Sequence, residues 1–309
     1  MTGRTHKFST AVLLICLLIP FVVSAEQSAH GQLHEKQEQS DLKFIRLLRG
    51  DDRKPQALQV SIVRYVPRDN RSTQTYVDLV SAIHVADQAY YADLNRRFKD
   101  YDAVLFELVA PEDTQIPFKA DTPEPKERSL LSRFQLGLKD TLGLSFQLDE
   151  VDYTGSNMVH ADMSPEEFDA SMERRGESMF TMFAQMWLAS LSQSLAPSAA
   201  MSDIKLIQAL FSSDREHALK VFAAEQFASA EGMFKALEGK EGSTLVTERN
   251  KKALRVLERE LANGKQRIAI FYGAAHMDDM GARLETDFGL TPSTESWVDA
   301  WNLQKNGTP

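Results

Sequence analysis

Cysteine is nearly absent from this chain, with one in 309 residues, Cys16. It lies in an N-terminal apolar stretch, so the rest of the chain has no thiol. That excludes a disulfide framework, thiolate metal ligands and a cysteine nucleophile. Leu17, Leu18 and Ile19 prolong the apolar run past Cys16, which argues against lipid attachment there. Positive charge is also short: 35 Lys and Arg face 44 Asp and Glu, for a net charge of -9 and a pI near 5.4. With no basic cluster to offset that balance, nucleic acid is not an expected partner. The chain has no G-x-S-x-G elbow, P-loop, dinucleotide fingerprint or H-E-x-x-H helix. Met179 to Leu195 is apolar but broken by Thr, Gln and Ser, so no stable membrane span is expected after the leader.

Residues 1–25 have the form of a signal peptide. Arg4 and Lys7 form a positive start, Ala11 to Val23 is a 13-residue apolar core, and Val23-Ser24-Ala25 meets the small-residue cleavage rule. Export to a periplasmic or extracellular space follows as the expectation. Residues 26–56 are polar and charged and read as a flexible spacer, with one apolar patch at Phe44 to Leu48. Residues 57–309 then read as a single domain.

Two stretches organise that domain. Tyr76 to Val85 is an apolar strand that meets His84 just where a helix begins, and Ile268 to Tyr272 runs through Gly273 into His276 and another helical pattern. Superposing the two histidines also superposes Asp87 on Asp279, 192 positions apart. In open α/β sheets ligands gather at the carboxyl ends of strands. Two imidazoles delivered there can converge on a metal ion or a reacting group, while capping or structural hydrogen bonding is the plainer alternative.

Leu58 to Pro67 alternates as a half-buried strand and is expected to form a hairpin with Tyr76 to Val85. Asp102 to Val109 is an apolar strand interrupted by Glu107, whose carboxylate needs a partner to be buried. The loop 111–127, dense in Pro and acid, follows as a candidate lid. A large helical insert at about 128–263 separates the two cassettes, with a helix start at Ser164-Pro165-Glu166-Glu167. His160 and Asp162 lie just ahead of it, where His160 is a minor candidate for a further metal ligand. On the helix from Thr244 to Ala262, Val246, Asn250, Leu257 and Leu261 share the buried stripe, with Arg249 at its margin. Asn250 is polar on an apolar stripe, so it and Arg249 are candidates to face a site. Thr294 to Leu303 reads as a last strand carrying Trp297 and Trp301. The expected fold is α/β (α+β), a mixed central sheet with flanking helices and the helical insert.

His84, His276 and Glu107 make up an N,N,O set that leaves positions open for water and a carbonyl oxygen, as metal-assisted hydrolysis requires. Arg249 would stabilise an oxyanion and Asn250 would orient substrate or a ligand. Imidazole and carboxylate donors suit Zn, Mn, Fe or Co. Glu107 is thus a candidate both as catalytic group and as metal ligand.

Four marks now stand in order: SAIH ending at His84, FEL at Glu107, ERN at 248–250 and GAAH ending at His276. Together they resemble the TraB, PrgY and TIKI family, whose members carry two G-x-x-H motifs, an intervening Glu and a later E-R-(N/D). The resemblance spans about 58–303. It implies a mixed α/β fold and a divalent-metal hydrolase acting on peptides or secreted proteins, with Mn or Co favoured. This chain departs from the pattern at Ser81, where the family has glycine, which bears on approach to His84. Two alternatives stand beside that reading. One is metal-free ester hydrolysis with His84 as base and Glu107 as its partner, as in the more distantly similar erythromycin esterases. The other is a non-catalytic protein that sequesters a peptide or hydrophobic ligand on the Met-rich insert.

Overall fold

A computed structural model describes residues 44–69, 74–111, 114, 142–178, 197–229 and 242–305. The leader, the spacer up to 43, most of the acidic loop, the Met-rich run at 179–196 and the tail lie outside the described residues. The architecture is α/β: a seven-stranded mixed sheet flanked by helices.

The antiparallel half of the sheet centres on β2 (Pro55–Pro67), which pairs along one edge with β9 (Leu290–Asn302). Its other edge is shared by β1 (Ile45–Arg49) and β3 (Tyr76–Ala82). β1 corrects the spacer reading, since most of the apolar patch at 44–48 lies in this strand, and Phe44 just before it is in the core. A short alternating run among charged neighbours has too little periodicity to stand out until β2 supplies its partner. β2 itself is covered on both faces, because Gln59 and Ser61 are buried as well as Leu58, Val60 and Ile62. The half-buried expectation therefore fails, as helices pack on both sides of the sheet.

The parallel half runs β3, β8 (Arg267–Gly273), β5 (Ala103–Phe106) and β7 (Met158–His160). β8, the latest of these four in sequence, inserts between β3 and β5, so both cassettes stand side by side in the middle of the sheet. Parallel strands buried on both faces read as apolar runs, and IAIFY and AVLF are of that kind.

One face is covered by α1 (Gln88–Phe98), through Tyr90, Tyr91, Leu94 and Phe98, and by Ala223 and Ala224 of a long insert helix. The short pair β4 (Val85–Ala86) and β6 (Ser145–Phe146) leads into a single helical turn, α2 (Gln147–Glu150). Next come α3 (Pro165–Arg175), α4 (Pro197–Leu210) and α5 (Arg215–Ser229), the last being that insert helix. At α3 the capping box is complete: Ser164 Oγ accepts from Glu167 N and the Glu167 carboxylate accepts from Ser164 N. The other face is covered by α6 (Arg249–Ala262) and α7 (Met277–Thr286), through Leu254, Leu257, Met280 and Leu284. Among the described residues no helix is long and apolar enough to cross a membrane.

The insert is not purely helical, because it also supplies β7, an edge strand of the main sheet. Three residues are too few for any period to announce a strand.

Candidate active site

The four neighbouring parallel strands each deliver one polar side chain just past their C-terminal ends. β3 leads to His84, β8 to His276, β5 to Glu107 and β7 to Asp162. Ligand sites in such sheets form at that edge, where backbone groups and helix starts are exposed to one another.

Gly273 is the floor on which three of them meet. A methyl group built at its Cα would lie 3.3 Å from Glu107 Oε2, 3.7 Å from His84 Nε2 and 3.7 Å from His276 Cδ2. A residue without a side chain at this place is what lets the three approach one another.

Both imidazoles are held by their Nδ1 atoms. His84 Nδ1 donates to Gln147 Oε1 at 3.0 Å, and Gln147 Nε2 donates to the Tyr153 hydroxyl at 2.9 Å. Gln147 reaches this place because its N–H donates to the His84 carbonyl at 2.9 Å, continuing the β4–β6 pairing. His276 Nδ1 donates to Asn250 Oδ1 at 2.6 Å. Asn250 Nδ2 donates to the His276 carbonyl at 3.0 Å and to Asp279 Oδ2 at 2.8 Å. With two acceptors facing its nitrogen, the amide has one sensible orientation, so Oδ1 must receive the ring proton. The Nε2 of a neutral ring then carries a lone pair, and it lies 3.5 Å from Glu107 Oε1.

Glu107 is buried at 7% exposure, beside Arg249 at 5% and Asp162 at 0%. Its Oε2 accepts from Gly273 N at 2.7 Å and its Oε1 from Arg249 Nη2 at 2.6 Å. Burial pushes the Glu107 pKa up, but the Arg249 guanidinium beside it outweighs that and holds the carboxyl well below its ordinary range. Arg249 also grips Asp162 with two bonds, Nε to Oδ1 at 2.9 Å and Nη2 to Oδ2 at 2.5 Å. Burial disfavours its charge, and Asp162 and then Glu107 more than restore it, so its pKa is raised well above normal.

These contacts revise two expectations. Arg249 is not at the margin of its helix but inside, because Thr244–Glu248 is a π-turn, closed by Glu248 N donating to Ser243 O at 3.1 Å. A wider turn rotates every later residue relative to an α-helical wheel. Arg249 then spends its donors on Asp162, Glu107 and the Leu245 carbonyl, behind Glu107. It is placed to balance charge rather than to meet an oxyanion. Asn250 likewise orients a histidine, not a substrate.

His160 stays apart from the set, its Nε2 donating to the Leu108 carbonyl at 2.6 Å. Asp87 departs from its counterpart Asp279, since it binds Lys220 and the Asn302 N–H. Ser81 is fully buried within β3 and lies outside any approach to His84. Sequence reasoning missed Asp162 and Gln147 as members of the site. The signal for Asp162 was its position just before a helix cap, at the end of a strand too short to notice. Gln147 carried no signal.

For a divalent ion these donors fit in kind. Each histidine has its Nδ1 proton committed and its Nε2 turned inward, the pattern of metal-bound imidazole. The 3.5 Å between His276 Nε2 and Glu107 Oε1 matches the roughly 3.4 Å expected between two donors on one tetrahedral ion. The set is not closed, however: among the described residues no three His, Cys, Asp or Glu side chains converge tightly enough to form a metal-binding group. Compared with known proteins, the chain matches no protein-family model, no curated protein and no solved structure.

Proposed function

We propose that this protein is an exported hydrolase that cleaves peptides or proteins at a divalent-metal centre held by His84, His276 and Glu107. One observation carries the reading. The His276 Nε2 lone pair and an ionised Glu107 oxygen face each other across 3.5 Å in a buried site. Two acceptors so placed repel unless a proton or a cation sits between them. The surrounding charge points the same way, since Glu107 and Asp162 outnumber Arg249 by one.

When bound, the ion polarises a carbonyl and activates a water. The chain's own residues do the rest. His84 and His276 offer Nε2 because Gln147 and Asn250 hold Nδ1. Glu107 stays ionised because the Arg249 guanidinium stabilises its charge. Gly273, having no side chain, lets the three approach one another. Mn or Co is the first choice on the family resemblance, and Zn or Fe also suits the donors.

A second reading makes His84 the base and Glu107 its partner, since His84 Nε2 and Glu107 Oε2 share the space over Gly273. In it, an Nε2 lone pair takes a proton from water attacking an ester, and no metal takes part.

The test is metal content and turnover. Full-length protein purified without chelator is expected to hold about one equivalent of metal, lost in both His84→Ala and His276→Ala. The same variants should lose cleavage of a peptide panel supplied with Mn or Co. Ester turnover with no metal, even after reconstitution, selects the second reading. Stoichiometric capture of peptide without turnover would instead make this a sequestering protein.

A further inference from the structure

Arg249 is shared between two buried carboxylates, and the sharing is unequal. Its Nε and Nη2 both serve Asp162, whereas only Nη2 reaches Glu107. A guanidinium bound by one carboxylate alone would neutralise it and leave a site with no net charge. Here two negative groups meet one positive group, and all three side chains are buried, so water does not screen the imbalance. We infer that Asp162 is a positioning residue: by taking Arg249 in a two-bond grip, it keeps Glu107 from being neutralised and so reserves one negative charge for an incoming cation. The inference rests on the metal reading above and names a residue that touches neither metal nor substrate.

The geometry makes Asp162 suited to this. It stands at the end of β7, two strands from β8, with 0% exposure, and its own Oδ1 also accepts from Met163 N at 2.8 Å. That bond fixes the carboxylate from the backbone side, so Arg249 is aligned from a rigid anchor. The side chain is held in the second rank behind Glu107, and its charge acts through the guanidinium.

Charge arithmetic gives a test with an opposite sign for two variants. Asp162→Asn leaves Glu107 and Arg249 as a neutral pair. Adding Arg249→Gln to it removes the cation as well and restores one net negative charge. The full chain is titrated with MnCl2 alone by calorimetry, each variant being checked by thermal melt. Asp162→Asn should bind Mn(II) at least about tenfold more weakly than wild type, the scale of outer-shell changes at metal sites. The double variant should return to within about threefold of wild type, a departure from additivity expected only of charges acting together. The Co(II) absorption spectrum at saturation should keep its shape in both, because no ligand has changed.

Equal affinity in wild type and Asp162→Asn overturns the inference, as does a double variant no tighter than the single one. A changed Co(II) spectrum would make Asp162 a ligand and overturn it too. If Asp162→Asn does not fold, the double variant decides alone: within about threefold of wild type supports the role, and tenfold weaker refutes it. Wild type that takes no Mn(II) or Co(II) removes the metal reading and this inference with it. A metal-binding wild type with an indifferent Asp162 removes the inference only.

Discussion

Asn250 holds His276 at two points, accepting the ring Nδ1–H at 2.6 Å and donating to the main-chain carbonyl of the same residue at 3.0 Å. The ring can therefore neither flip nor change tautomer without breaking the backbone contact. Asn250→Ala should weaken metal binding by about 10- to 100-fold. It should also cost about 1–3 kcal/mol in stability, because Asp279 and the His276 carbonyl lose a buried donor. Mn(II) titration and urea unfolding read the two effects separately.

Gly273 offers a cleaner separation of site from fold. Its φ of -53° suits any residue, so Gly273→Ala carries no backbone strain. The added methyl would press on Glu107 Oε2 at 3.3 Å and fill the space shared with both histidines. Stability should stay within about 1 kcal/mol of wild type while metal affinity and turnover fall by tenfold or more. A variant that keeps full activity would show that the space over Gly273 is not used.

Ser81 behaves in the opposite way. Among the described residues its hydroxyl is buried without a hydrogen-bond partner, as is that of Ser61 on the neighbouring strand. Ser81→Ala removes an unpaired polar atom and should raise stability by about 1 kcal/mol. Turnover should not change, since the side chain is enclosed in the sheet. Urea midpoints with parallel activity assays check both halves of this expectation.

Asp102 ties the starts of β5 and β8 together. Its carboxylate accepts from Arg267 Nη2 at 2.7 Å, from Arg267 N at 2.9 Å and from Gln266 N at 3.1 Å. The Arg267 side chain and then its backbone N–H lower its pKa from 3.8 to about 2. A depressed carboxyl stabilises the fold above its unfolded value and ceases to do so as pH falls through the folded one. Wild type should therefore lose this contribution between about pH 4 and pH 2. Asp102→Asn should show a shallower acid limb over that window when unfolding midpoints are followed against pH.

Much of the fold was legible because parallel strands buried on both faces are apolar runs, and IAIFY and DAVLF stand out as such. Each of these runs is soon followed by a residue that chemistry marks, His276 or Glu107. The π-turn before Arg249 was not legible, since its extra residue leaves the composition unchanged and alters only the phase of the helix. β1 and β7 were missed for a different reason. Strands of five and three residues take their identity from a partner, not from an internal period.

By itself the sequence determined the mixed α/β class, the two strand-to-helix cassettes and the polar residues at their junctions, because apolar period and residue type are local properties. Only the tertiary structure decided that β8 lies between β3 and β5, which brings His84, His276 and Glu107 around Gly273. It alone decided that Arg249 turns inward to Asp162 and that Gln147 and Asn250 set the two rings. Those relationships join residues 63 and 87 positions apart in two of the pairs, so they exist only once the sheet has assembled.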